Sequence, residues 1–206
     1  MNIGDYTVHI VDDEEAVRKS LAFMLTMAGF TVRVHASATD FLTAAPSIRK
    51  GCLITDLRMP DLNGVELLRQ LRSIGAALPA IVVTGHGDVP MAVDAMKAGA
   101  LDFIEKPFEE EVLIEAIHRA AAELERTADG QDVAAIRSRL EQLTEREREV
   151  LQAVVAGHAN KTIAYDLDIS PRTVEVHRAN VMAKMEARSL PELVRMAMAA
   201  GGFAAR

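Results

Sequence analysis

Four short apolar runs, each closed by a polar or ionisable residue and set apart by helix-length stretches, constrain this 206-residue chain most. The runs lie at residues 6–11, 51–55, 80–84 and 101–105. Helical patterns occupy residues 14–28, 38–45, 64–74, 88–98 and 109–125. Strands that alternate with helices pair in parallel, because each helix carries the chain back across the sheet. All four runs then end at one carboxyl edge, where open α/β sheets place their sites. Asp12 and Asp13 follow the first run and Asp56 the second, Thr84 closes the third, and Lys106 follows the fourth. Three carboxylates a few ångströms apart do not all stay charged unaided. Mg²⁺ relieves that repulsion, and when held by one or two carboxylates it keeps room for phosphate oxygens. Lys106 and Thr84 add an ammonium and a hydroxyl for other phosphoryl oxygens. The cluster reads as a place to bring Mg²⁺ and a phosphoryl group to a carboxylate nucleophile. Residues 12–15 taken alone read as a solvated acidic turn.

These motifs resemble the receiver domains of two-component response regulators. Val11-Asp-Asp-Glu14, Thr55-Asp-Leu-Arg-Met-Pro-Asp61 with Gly64, Thr84-Gly85 and Lys106-Pro107 fall in the family's order across residues 5–123. The resemblance implies a doubly wound, five-stranded parallel sheet of the flavodoxin type. It implies that Asp56 accepts a phosphoryl group from a histidine kinase. Asp13, Asp56 and the backbone carbonyl of Arg58 would hold Mg²⁺, with Asp12 acting through water. Thr84 and Phe103 would form a switch pair, Lys106 would contact the phosphoryl group, and the Lys106–Pro107 bond would be cis. Such a receiver is not an enzyme in the ordinary sense, since it catalyses only its own phosphotransfer and slow dephosphorylation. Val89, Met91, Val93 and Ala95 lie near the switch strand, and residues 88–105 are expected to carry a homodimer contact after phosphorylation.

Composition narrows the partners. Residues 1–123 hold 11 Lys and Arg against 18 Asp and Glu, a net of −7, and residues 124–206 hold 12 against 12. The acidity belongs to the receiver and does not argue against nucleic-acid binding by the second half. Eight aromatic residues and no Trp speak against base stacking as its strategy. The single Cys52 sits in a predicted central strand and reads as a small buried hydrophobe, which fits a cytoplasmic location. No secretory signal or membrane-length apolar run is read.

The expected division is a receiver at 1–123, a partly helical linker at 124–140 hinged near Gly130, and a helical domain at 141–206. Thr144-Glu-Arg-Glu147 forms a capping box. Asn160 is expected to cap a short helix over 161–167, and Asp168-Ile169 makes the turn. Ser170 and Pro171 open a longer helix, and Ser189 opens a fourth. This is a helix-turn-helix. Along its third helix, Val174, His177, Val181 and Met185 recur at helical spacing as core. The opposite stripe holds Arg172, Glu175, Val176 and Ala179, flanked by Arg178, Asn180 and Lys184. Small residues, mixed donors and acceptors, and marginal cations suit a major groove. The same stripe also suits a solvated docking module.

This half resembles the LuxR-type, or NarL-type, DNA-binding domains. Leu143-Thr-Glu-Arg-Glu147, Val150-Leu151, Lys161-Thr-Ile-Ala164, Leu167, Ile169-Ser170 and Thr173-Val174 with His177 carry the likeness. The resemblance implies promoter DNA and RNA polymerase as partners and adds Lys161 and Thr173 to the DNA-facing set. With Val89-Pro-Met-Ala-Val93, Phe103-Ile-Glu-Lys-Pro-Phe108 and Ile169-Ser-Pro-Arg-Thr-Val-Glu-Val-His-Arg178, the two halves together resemble regulators of nitrogen-fixation genes. That likeness implies an oxygen-sensing, haem-bearing kinase as phosphodonor and activation under low oxygen. The residues alone leave open an aspartyl-phosphate phosphatase and a phosphorylation-dependent protein adaptor.

Overall fold

The computed structural model describes residues 6–76, 78–85, 87–125 and 131–201. His86, read from sequence as part of a loop after Thr84, and the hinge expected near Gly130 lie outside the described residues. The chain divides into two compact units, one of residues 1–87 and 98–127, the other of residues 88–97 and 128–206.

The first unit is built on five parallel strands: β1 (Thr7–Val11), β2 (Thr31–His35), β3 (Gly51–Thr55), β4 (Ala80–Thr84) and β5 (Asp102–Glu105). Their order is β2-β1-β3-β4-β5, the doubly wound order expected. Helices α1 (Glu15–Met27), α2 (Ala38–Ala44), α3 (Gly64–Ser73), α4 (Val89–Ala98) and α5 (Glu110–Glu125) follow the successive strands. β1, β3 and β4 are near-continuously apolar because strands covered on both faces have no solvent side. Val8, Ile10, Cys52, Ile54, Ile81, Val83 and Ile104 pack with Leu21 and Leu25 of α1 and Leu113 and Ile117 of α5. Cys52 is free and buried, as its strand position predicts.

The α4 helix groups with the second unit, although its sequence lies inside the expected receiver span. Of the apolar residues in the segment expected to carry the homodimer contact, Val93 and Ala95 are fully buried and Val89 and Met91 are half-buried.

The other helices of the second unit are α6 (Gln131–Glu141), α7 (Glu145–Ala156), α8 (Asn160–Asp166), α9 (Pro171–Met185) and α10 (Leu190–Ala199). The capping box forms: Thr144 accepts the Glu147 N–H, and Glu147 accepts the Thr144 N–H. Gly157 closes α7 at φ +93°, a left-handed position that favours glycine. Ser170 caps α9 and Ser189 caps α10, each with its hydroxyl accepting a backbone N–H. The expectation for α8 is corrected. Its N-cap is Ala159, without a side-chain bond, and Asn160 is the first helical residue. The Asn160 side chain instead accepts a hydrogen bond from Arg178 at 2.6 Å.

Two apolar clusters hold these helices. Ile136, Leu151, Val155, Val181, Met185 and Leu193 form one. Val150, Val154, Ile163, Ala164 and Val174 form the other, locking α8 and α9 against α7. His177, predicted as core, is half-buried.

Candidate phosphoryl-transfer site and nucleic-acid interface

Register brings the acids together. Val11 of β1 lies opposite Thr55 of β3, so the residues that follow, Asp12 and Asp56, leave the sheet side by side. The Asp56 N–H donates to the Val11 carbonyl at 2.9 Å, extending the pairing by one residue. At the far side Thr84 pairs with Glu105, and the Lys106 N–H donates to the Thr84 carbonyl at 2.8 Å. Lys106 thus leaves the same edge. Its Nζ lies 3.3 Å from Asp12 Oδ2 and 3.5 Å from Asp56 Oδ1. The Lys106–Pro107 bond is cis, as expected.

Each acid is positioned by its own turn. Asp12 is buried and accepts the Glu14 N–H at 2.8 Å, while Arg18 donates to its backbone carbonyl. Asp56 is partly buried and accepts the Arg58 N–H at 2.6 Å. Burial pushes the Asp56 carboxyl above the usual carboxylate range; the Arg58 N–H and Lys106 pull it down, and Asp12 pushes it up. Gly64 is required here. A Cβ at that position would sit 2.5 Å from the Asp56 backbone oxygen, so the start of α3 packs closely on the Asp56 backbone. Thr84 is buried at the end of β4. Phe103 is half-buried, and a Cβ at Gly87 would lie 3.1 Å from its ring.

Of the residues expected to converge, Asp12, Asp56 and Lys106 meet directly. Asp13 is exposed, and among the described residues no three His, Cys, Asp or Glu side chains form a metal cage. The donors present nevertheless suit Mg²⁺, which takes one or two carboxylates and completes its shell with water and phosphate oxygens.

The second unit presents α9 as expected over part of its stripe. Arg172, Glu175, Val176, Ala179 and Asn180 are exposed, with Val176 at 54%. Thr173 is half-buried, its backbone N–H and its hydroxyl both hydrogen-bonded to the Ser170 hydroxyl. Lys161 is exposed on α8. Two of the flanking cations are committed within the domain: Arg178 to Asn160, and Lys184 to the buried Glu147 at 2.6 Å. Lys184 binds inward because Glu147, drawn into the core by its capping role, needs a partner for its charge. Sequence reasoning missed Tyr165, 87% exposed on α8 four residues after Lys161. The signal was available, since Tyr165 falls off the apolar stripe of Ile163, Ala164 and Leu167.

An aspartate, a second acid and a lysine on the edge of a 2-1-3-4-5 sheet, joined to a helix-turn-helix, define a DNA-binding response regulator of a two-component system. The chain belongs to that family: the response regulator receiver domain matches residues 8–118, and the luxR family of bacterial regulatory proteins matches residues 141–197. It is similar to the transcriptional regulatory protein FixJ of Rhizobium meliloti (strain 1021), at 70% identity over 97% of this chain and 98% of that protein. Response regulator protein TodT of Pseudomonas putida is 44% identical over 92% of this chain and 84% of its own. Among solved structures, full-length FixJ from B. japonicum matches 95% of this chain and 97% of its own, at 48% identity and a TM-score of 0.57. Receiver domains of this family generally bind Mg²⁺ at the phosphorylation site.

Proposed function

We propose that the chain is a phosphorylation-switched activator of nitrogen-fixation genes under low oxygen, phosphorylated on Asp56 by a FixL-like, oxygen-sensing histidine kinase. The observation that carries the phosphoryl-transfer part is the Lys106 ammonium lying between Asp12 and Asp56. The Asp56 carboxylate attacks phosphorus, the bond from phosphorus to the donor's imidazole nitrogen breaks, and the donor leaves. Lys106 then holds a phosphoryl oxygen in place of Asp56. Asp13, Asp56 and the Arg58 carbonyl, with Asp12 acting through water, would hold Mg²⁺, which would supply charge neutralisation. Thr84 turns toward the phosphoryl group and Phe103 follows, biasing the segment 88–105. Nothing in the site is assigned to rapid water attack, so the chain turns over only its own phosphoryl group and is not a general phosphatase.

Two exposed apolar side chains on α1, Phe23 at 71% and Met27 at 72%, are spaced four residues apart on one face. They lie in the half of α1 that runs away from Asp12, and support protein docking on that helix rather than at the site itself. The identity with FixJ supports the target genes and the oxygen signal. The DNA-facing set is Lys161, Arg172, Thr173, Glu175, Val176, Ala179 and Asn180, to which Tyr165 is added. Phosphorylation produces a homodimer that reads two half-sites about one helical turn apart. The bound dimer recruits RNA polymerase. Among the described residues no helix is long and apolar enough to cross a membrane, and access to promoter DNA places the protein in the cytoplasm.

The test is a selection of genomic fragments by the phosphorylated chain, followed by transcription from the recovered promoters with purified polymerase. Recovery and activation of nitrogen-fixation promoters support the reading. Recovery of unrelated promoters, or repression, overturns its finer part, and failure to select any DNA favours the protein-adaptor reading.

A further inference from the structure

A cavity of about 390 Å³ opens at the amino-terminal edge of the receiver sheet, lined by Thr7, His9, Arg33, Ser47, Arg49 and Lys50 among others. Thr7 begins β1 and Asp12 follows its end, so the cavity stands about 16 Å from the phosphorylation edge along the strand. Among the described residues its lining holds three of the eleven basic residues of an acidic half and no carboxylate. The three cations come from separate places: Arg33 from the middle of β2, Arg49 and Lys50 from the turn into β3. Among the described residues none of them has an ion-pair partner of its own in the receiver, whereas Lys106 and Arg119 both do.

The inner wall is fixed. His9 is 2% exposed, its Nδ1 lies 3.1 Å from His35 Nε2, and its ring stacks on that of His35. His35 Nδ1 in turn lies 3.4 Å from Asp40 of α2. Burial, then the charges of His35 and Arg33, holds the His9 imidazole down at about 4. At neutral pH it is an uncharged polar wall, and the positive charge of the cavity belongs to the three cations alone.

We propose that this cavity binds a small phosphate-bearing ligand through Arg33, Arg49 and Lys50. Like charges gathered without acids repel one another, and an anion of two or more charges relieves them. Guanidinium forks match phosphate oxygens in pairs, and the Lys50 ammonium adds a compact charge. The volume lies near the lower end of ligand pockets, which run from about 300 to 1,000 Å³. It suits a phosphorylated metabolite and is too small for a duplex or a folded peptide.

The test titrates inorganic pyrophosphate, without Mg²⁺, into the full chain by calorimetry. Arg33→Gln, the pair Arg49→Gln with Lys50→Gln, and Lys106→Gln are run in parallel. The substituted side chains of the pair are exposed, so those proteins keep their fold. One-site binding is expected, weakened roughly tenfold by each removed cation of the cavity and unchanged in Lys106→Gln. The proposal is overturned if millimolar pyrophosphate does not bind. Loss of binding in Lys106→Gln, or equal binding by the cavity variants, overturns it too and assigns the anion to the phosphorylation site or the helical domain. Displacement of pyrophosphate by duplex DNA also overturns it, because a duplex does not fit the cavity.

Discussion

Lys184→Met separates cations that serve the fold from cations that serve DNA. Lys184 Nζ lies 2.6 Å from Glu147 Oε2 and 3.3 Å from the Gln142 carbonyl. Glu147 is 4% exposed, while the Lys184 side chain is 35% exposed. Breaking a fully buried pair costs about 3–5 kcal/mol, and a hydrogen bond to a charged group contributes about 1.5–3 kcal/mol. The half-open ammonium and the surviving Thr144 N–H bond to Glu147 place this loss near the lower end, at about 2 kcal/mol. Methionine keeps the apolar stem, so packing changes little. Amide exchange in α7 and α9 of the full chain should quicken by roughly 30-fold. The pH dependence has a definite sign. The bond from Lys184, then that from the Thr144 N–H, holds the Glu147 carboxyl below its ordinary 4.5. Its contribution to stability is present above that value and is lost as pH falls through the lower folded value. Wild-type and variant stabilities therefore converge in acid. The salt slope of DNA binding should not change, because the ammonium is already committed. An unchanged exchange rate together with a salt slope lowered by about one would refute this reasoning.

Five further outcomes are expected. Gly64→Ala should force the turn at Asp56 to shift, costing about 1–3 kcal/mol and slowing phosphorylation by acetyl phosphate, measured against unfolding in urea. Arg172→Ala should lower the salt slope by about one, whereas Arg178→Ala should destabilise the α8–α9 pairing by about 1–2 kcal/mol with the slope unchanged; Glu175→Ala should alter preference at one base pair by roughly 1–3 kcal/mol in competition assays. Chelation of Mg²⁺ should stop phosphorylation without unfolding the chain, since the bonds holding Asp12 and Asp56 come from backbone N–H groups; far-UV circular dichroism and phosphoryl incorporation check the two halves of this outcome.

The receiver architecture was legible because its buried strands are apolar over their length and end in chemistry. β2 was not among the apolar runs for a physical reason: Thr31, Arg33 and Val34 of this edge strand face solvent. The meeting of Asp12, Asp56 and Lys106 was legible from parallel pairing alone, since register follows once the strands are set. What escaped the sequence was the direction of long side chains. Lys184 and Arg178 have the residue type and spacing of phosphate contacts. Yet one answers the buried charge of Glu147, and the other the side chain of Asn160. Helical spacing places a Cβ and leaves a four-carbon stem free to turn inward. The burial of Val93 and Ala95 was hidden for a related reason, because an apolar run does not say whether it meets solvent.

In the proposed mechanism, phosphorylation of Asp56 controls DNA binding. Wild type and Asp56→Asn are incubated with Mg²⁺ and acetyl phosphate, the phosphoryl group is mapped by mass spectrometry, and affinity for a selected promoter fragment is measured on the same samples. One phosphoryl group on Asp56 of the wild type, with tighter DNA binding, is predicted. The variant should carry none and keep the affinity of the untreated chain. Stable Mg²⁺-dependent phosphorylation of the variant, or a phosphorylated wild type that binds DNA no better than before, would contradict the account.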